Sequence, residues 1–394
     1  MGIEEPGGGR HLSICLYTPS VDPSGMGSHM LDLAAEYLPG ADVSVLCWDT
    51  ASGRRVLERA AALGATVHAL PHPRDPAFAD RIVGFLTRHP TDVFHLHVGS
   101  GRENFDGARA ARRAGVPAIV QTQHQPWLFR APSKHVRFRC AIGTVDRLIA
   151  VSWAEQYTYE RIGVPSSRIV TVQNGIVPRG PGPGRAAARA ELGLRPDDLV
   201  VMNVGRLVRQ KGQDLLIDAM PGLVAAFPQV RVVVVGGGTH HDRLAAQAAH
   251  LGMADHLCLP GHRTDARMLL DAADVFVLPS RQEGLPLAAL EAMDVGLPVV
   301  GTDVIGTAEV VVDGETGRLV PPQDPRALGS ALADLLADPG LRARYGAAGQ
   351  RRYLDRFTAK RMAAETFAVY EDVLLENAAQ SAGNGVGVLS GVRA

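Results

Sequence analysis

Around PRGPGPG (178–184) the sequence reads the same way twice. Proline and glycine in this density stop both helix and strand, so the stretch separates two parts of the chain. Upstream, short apolar runs at 12–18, 43–48, 66–70, 93–98, 118–122 and 147–152 alternate with amphipathic segments at 30–38, 54–63, 77–88 and 104–114. Downstream the rhythm restarts, with strand-like runs at 199–204, 230–235, 256–259, 275–278, 299–302 and 318–320. Helical segments are expected at 213–226, 242–251 and 267–273, and helices over 325–356 and 359–376 close the chain. Brief, nearly all-apolar strands between longer helices form a parallel sheet covered on both faces. The expectation is an α/β protein of two Rossmann-like, doubly wound domains facing a cleft. Residues 1–177 make the first, 178–188 the linker and 189–358 the second, with helix 359–376 crossing back and 377–394 a flexible tail.

Composition narrows the function. The 394 residues are 46% hydrophobic and 21% charged, with 40 basic against 41 acidic side chains and a formal charge of −1. A chain that coats nucleic acid carries a large basic excess, which is absent. Lys134, Lys211 and Lys360 are the only lysines, arginine serving elsewhere. Where such a chain keeps a lysine, the position can require an ammonium. Cys15, Cys47, Cys140 and Cys258 are dispersed without metal-ligand spacing, and buried thiols are expected in the strand-like runs. The first ten residues, MGIEEPGGGR, lack the basic-then-apolar pattern of a signal peptide. The expected location is cytoplasmic, with no membrane-spanning segment.

Two segments carry chemistry. In NVGRLVRQKGQDLLIDA (203–219) a strand ends at Val204, Gly205 turns, and Arg206 and Lys211 stand ahead of a helix. Two cations at a strand's carboxyl end suit a diphosphate, although solvated loop charges are the commoner meaning of such a pair. In SRQEGLPLAALEAM (280–293), Glu291 lies on a small apolar helix with no basic i±3 or i±4 neighbour. Its carboxylate needs donors from elsewhere, either a ligand diol or an arginine from a distant segment. Glu283 precedes that helix, where the N–H groups of Gly284 and Leu285 can meet a phosphate or sugar. The loop Gly25-Met26-Gly27-Ser28-His29 lacks the third glycine of a dinucleotide fingerprint, which argues against a dehydrogenase. His124 follows the run 118–122 at the same kind of strand end.

Together these residues resemble the retaining GT-B glycosyltransferases of glycosyltransferase family four, from the first strand to Glu376. The resemblance rests on GRLVRQKG (205–212), the glycines 236–238, AADVFVLPS (272–280), the E-x7-E pair Glu283 and Glu291, and DGETGRLVPP (313–322). It implies that Arg206 and Lys211 bind the donor diphosphate, Glu291 the ribose and Glu283 the transferred sugar. Gly284 and Leu285 would offer N–H groups, and the turn Gly261-His262-Arg263 would hold the base through its backbone. Gly27 would near the donor phosphates and His124 the sugar, though Ser24-Gly25-Met26-Gly27 departs from the family's paired glycines. The resemblance implies a nucleotide-sugar co-substrate, UDP-linked, with no cofactor and no metal; no D-x-D motif is present.

The acceptor is expected against the first domain, near Asp22, His29, Arg102, Glu103, Trp127 and Arg130. WLFRAPSKHVRFRC (127–140) mixes aromatic and basic residues and suits an anionic membrane or phosphorylated acceptor, or else is a loop and a solvated helix face. Asp22, Glu103 and Asp106 suit a polyhydroxylated or cationic acceptor instead. The leading expectation is transfer to a small polar acceptor such as a sugar, cyclitol or aglycone, with no nucleic-acid partner. A nucleotide-sugar epimerase, a transferase acting on a phosphorylated or lipid acceptor at the membrane surface, and a non-catalytic binder are the alternatives.

Overall fold

The computed structural model describes residues 11–20, 24–72, 74–99, 105–127, 129 and 131–387. The chain forms two compact units, Met1–Gln173 with Ala359–Ala394, and Asn174–Thr358. In unit one, β1 (Leu12–Tyr17), β2 (Ala41–Trp48), β3 (Thr66–Leu70), β4 (Val93–Val98), β5 (Ala118–Gln123), β6 (Arg147–Ala150) and β7 (Ile169–Thr171) form one sheet. Its order is β3-β2-β1-β4-β5-β6-β7 and its pairings are parallel. Unit two repeats the plan with β8 (Leu199–Val204), β9 (Val230–Val235), β10 (Leu257–Gly261), β11 (Val275–Leu278), β12 (Val299–Thr302) and β13 (Gly317–Val320). Here the order is β10-β9-β8-β11-β12-β13, again parallel. Strands such as VRVVVV (β9) have no polar face because helices cover both sides.

Each sheet starts in its middle and grows outward both ways. The winding direction therefore reverses between β1 and β4 in unit one and between β8 and β11 in unit two. Diverging loops at such a point leave a crevice at the strands' carboxyl ends, where open α/β sheets bind ligands.

The chain returns to unit one at Ala359. Met362, Ala363, Val369, Tyr370 and Val373 of helix Ala359–Gly387 join the core formed by β1, β2 and the helix Ser24–Tyr37. Tyr37 donates from Oη to the Ala363 carbonyl at 3.1 Å.

The boundaries differ from the sequence expectation in three places. Compact contacts divide the chain after Gln173, not 177. The last helix continues to Gly387, into the tail expected over 377–394. Residues 325–356 are two helices, Pro325–Ala337 and Pro339–Arg356. Pro339 cannot continue a helix from its N-terminal side, and Asp338 instead caps the next one by accepting from the Leu341 N–H at 2.9 Å. Of the thiols expected to be buried, Cys15 and Cys47 are and Cys258 is half-buried; Cys140, outside the strand-like runs, is exposed.

Candidate active site

In unit two, Lys211 and Glu283 meet although 72 residues apart. Lys211 Nζ donates to Glu283 Oε1 at 2.7 Å and Oε2 at 2.9 Å, and Ser280 Oγ donates to Oε1 at 2.6 Å. The loops after β8 and β11, flanking the reversal point, bring them together. Arg281 clamps those loops, donating to both Asp214 carboxylate oxygens at 2.7 Å, and Gln210 Nε2 donates to the Gln282 carbonyl at 3.1 Å.

Glu283 is no solvated loop acid: its side chain is 4% exposed, so Lys211 and Ser280 balance a buried charge. Lys211 lies across Gly205, which leaves room for its methylenes. Gly212 has φ +67°, and a Cβ there would fall 1.9 Å from the Pro279 carbonyl oxygen. Only glycine lets the Lys211 loop approach the Glu283 loop this closely. Arg206 is exposed and has no ion-pair partner among the described residues. Gln213 Nε2 fixes its backbone, donating to the Arg206 carbonyl at 3.0 Å.

Glu291 lies on the helix Leu287–Asp294. Its carboxylate is 3.8 Å from Arg267 Nε, a loose contact, because Arg267 donates more closely to Asp294 Oδ2 at 3.0 Å. Burial pushes the Glu291 carboxyl up to about 7, Arg267 opposing and Asp294 adding to the rise. The arginine left open by the sequence is thus present but does not satisfy the carboxylate. Arg263 is engaged with Asp265 at 2.7 Å and Glu191 at 2.8 Å, and the Gly261 carbonyl accepts from the Gly236 N–H at 2.9 Å. Gly284 and Leu285 are buried, and the Leu285 carbonyl accepts from Asn174 Nδ2 at 3.0 Å.

In unit one, Gly27 is the fourth residue of the helix Ser24–Tyr37, next to the N–H groups of its first turn that lack helical partners. His124 follows β5, and its Nε2 is 3.3 Å from His97 Nδ1. Two expected acceptor residues are not turned outward. Trp127 is 6% exposed, packs on Phe129, Phe138 and Tyr159, and donates from Nε1 to the Phe129 carbonyl at 3.1 Å. With its indole N–H satisfied internally it belongs to the core. His29, 3% exposed, packs edge-on against His97 and His124. Asp22, Arg102, Glu103 and Arg130 lie outside the described residues. The helix Pro132–Ile142 presents Lys134, Arg137 and Arg139 to solvent, with Lys134 Nζ 4.5 Å above the Phe129 ring.

Sequence reasoning passed over Ser280, Arg267 and His97. The alternation of His95 and His97 in the otherwise apolar β4 was an available signal, since residues two apart share a strand face.

Two doubly wound units are the architecture of the GT-B glycosyltransferases, and the family comparisons place the chain among them. The chain belongs to the glycosyl transferases group 1, of glycosyltransferase family 4. Residues 184–352 match the family model "Glycosyl transferases group 1" and residues 23–179 match "Glycosyltransferase Family 4". The chain is 32% identical to the GDP-mannose-dependent alpha-(1-6)-phosphatidylinositol monomannoside mannosyltransferase of Mycolicibacterium smegmatis, over 76% of this chain and 82% of that protein. It is 30% identical to the D-inositol 3-phosphate glycosyltransferase of Kineococcus radiotolerans, over 94% and 95% of the two chains. Among solved structures, Anabaena HepE in complex with UDP and glucose superposes with a TM-score of 0.79 at 22% identity, covering 92% of this chain and all of that one. Such likeness at low identity speaks for the fold. No helix of the described residues is long and apolar enough to cross a membrane.

Proposed function

We propose that this glycosyltransferase moves a hexosyl group from a nucleoside-diphosphate sugar to a hydroxyl of an inositol phosphate, free or lipid-linked, with retention at the anomeric carbon. The observation that carries the donor half is the Lys211–Glu283 pair beside the unpaired Arg206. Arg206 and Lys211 meet the diphosphate and stabilise charge as it develops on the leaving group, so no metal is needed there. Engaging a phosphate draws Lys211 from Glu283, whose oxygens then accept from the sugar hydroxyls. Glu291, short of donors, accepts from the ribose diol, and the Gly261–Arg263 backbone meets the base. From unit one, His124 serves a sugar hydroxyl and the Gly27 N–H a phosphate oxygen. Retention follows if the acceptor attacks the face the phosphate leaves, and the departing oxygen takes the acceptor's proton.

The acceptor half rests on the relatives, whose names carry inositol phosphate or phosphatidylinositol. The exposed cations of helix Pro132–Ile142 fit a phosphate on that acceptor. Uridine as the base has beside it the UDP complex of a fold neighbour, and guanosine the GDP-mannose of a mycobacterial relative. UDP- and GDP-hexoses are therefore each incubated with D-inositol 3-phosphate or phosphatidylinositol vesicles, and nucleoside diphosphate release is followed. The expected result is release with one nucleotide that depends on an inositol acceptor. A donor that binds without turnover, or is interconverted with no acceptor, would replace this proposal by a binder or an epimerase.

A further inference from the structure

The carboxyl edge of the unit-one sheet gathers four imidazoles. His95 has both nitrogens occupied, Nδ1 by Tyr370 Oη at 2.6 Å and Nε2 by Thr122 Oγ1 at 2.7 Å, and its ring packs 4.1 Å from that of His97. The other three are incompletely paired. One ring nitrogen from each of His29, His97 and His124 lies within 4.8 Å of the other two. His29 Nε2 faces Met362 Sδ at 3.1 Å, while its Nδ1 is buried without a partner. His97 Nε2 is likewise buried and unpartnered. Leaving such nitrogens unsatisfied is unfavourable, which points to a missing ligand.

The chemistry of the set narrows that ligand. Burial first, and mutual repulsion for His97 and His124, push the imidazoles well down, His29 to about 4. All three are neutral near pH 7, the form that binds metal ions. The set holds no carboxylate, so magnesium and calcium, which take oxygen ligands, are poor fits. Two nitrogens bound to zinc at ~2.0–2.1 Å in tetrahedral geometry stand roughly 3.3–3.4 Å apart. His97 Nδ1 and His124 Nε2 stand at 3.3 Å as a hydrogen-bonded pair, a contact that an ion between the rings would replace, and His29 has the most closing to do. His124 is the least buried of the three and leaves the solvent side open for a fourth ligand.

We propose that His29, His97 and His124 bind one divalent transition-metal ion, zinc foremost, and that this ion inhibits by withholding His124 from the sugar. The inhibitory part rests on the role proposed above for His124; the binding part stands apart from it. Arg206 and Lys211 are not ligands, so the ion leaves diphosphate binding intact.

The test uses full-length protein without an affinity tag, stripped with chelator and free of nucleotide. It is titrated with cobalt(II) by visible absorption and with zinc by calorimetry. The expected result is one ion per chain with the intense bands of four-coordinate cobalt. His97→Ala and the bulkier His29→Gln should each weaken zinc by at least the ~10–100-fold that loss of an outer-shell partner costs. His241→Ala, in unit two, should leave it unchanged, and the melting temperature of each variant shows that it folds. Substoichiometric zinc, or equal affinity in wild type and a folded His29→Gln, would overturn the site. One equivalent of zinc should then abolish transfer, reversibly by chelator, with nucleoside diphosphate affinity unmoved. Zinc bound at these histidines with transfer undiminished would overturn the inhibition and the role of His124, leaving the donor site standing.

Discussion

Lys211 and Glu283 hold opposite charges in place, and if the pair serves the donor as proposed, removing either has two consequences that separate. Lys211→Ala leaves the Glu283 carboxylate, 4% exposed, with Ser280 as its remaining side-chain donor. A buried charged group deprived of a partner costs roughly 1–3 kcal/mol or more, so the urea midpoint should fall without loss of the fold. Loss of the ammonium that meets leaving-group charge should cut turnover by about 10²–10³. Adding Glu283→Gln should restore part of the stability and none of the activity. Glu291 provides a pH test. Its carboxyl, at about 7 against an ordinary 4.5, keeps a proton in the folded state that the unfolded chain has lost. Its contribution to stability is therefore largest below pH 4.5, falls through the window to 7, and stays lost above it. Diol hydroxyls donate to the ionised form, so nucleoside diphosphate binding should tighten about 10-fold in all from pH 6 to 8, most of it below pH 7. Calorimetry in buffers of differing ionisation enthalpy would show the proton released, and Glu291→Gln should abolish it; an unchanged slope in that variant would contradict the ribose role. The residue types were legible in the sequence because Gly205–Gly212 and Glu283–Glu291 are compact motifs. The pairing of Lys211 with Glu283 was not, since β8 and β11 have to lie side by side before residues 72 apart can meet. Trp127 was misplaced because an aromatic among arginines looks the same whether its ring faces the core or solvent.

Strands and their ends carry the site. Gly212 is held at φ +67° with the Pro279 carbonyl against it, and Gly306, at φ +81°, meets the Gly284 carbonyl in the same way. A side chain at either position incurs backbone strain of about 1–3 kcal/mol in addition to the collision. Gly212→Ala should thus lower the urea midpoint and raise the donor KM together, because the loop bearing Glu283 has to retreat. A fall in stability with KM unchanged would uncouple that loop from the donor. Long apolar strands such as Val230–Val235 were readable because burial on both faces leaves few polar positions, here Arg231 alone. The three-residue β7 was not, as Ile169–Thr171 is too short to show a pattern. One helix read over 325–356 became two because Asp338-Pro339 is a cap followed by a first-turn proline, a signal of two residues inside a long amphipathic run.

At the scale of the chain, the final helix belongs to unit one although it follows unit two. Five of its apolar side chains lie in the unit-one core. At ~1.5–3 kcal/mol for each of the four larger ones, with Ala363 adding less, their sum matches the net stability of a typical domain. A truncated chain ending at residue 358 should retain a cooperative melt for unit two and lose that of unit one, followed by circular dichroism and by tryptophan fluorescence, since all three tryptophans lie in unit one. The formal charge of −1 accords with the proposed use of a few cations at one diphosphate. The two-part division was visible in the interrupted rhythm at 178–184, whereas the extent of the last helix was not, because NAAQSAGNGVG is rich in small polar residues and glycine. The most direct measurement is proton NMR of a reaction containing the donor that turns over, an inositol phosphate and the enzyme. The account predicts a new anomeric signal of a sugar linked to the inositol, with the donor's configuration and equimolar with free nucleoside diphosphate, and its loss in Lys211→Ala. Nucleoside diphosphate released with free sugar and no new glycoside, or an inverted anomer, would contradict it.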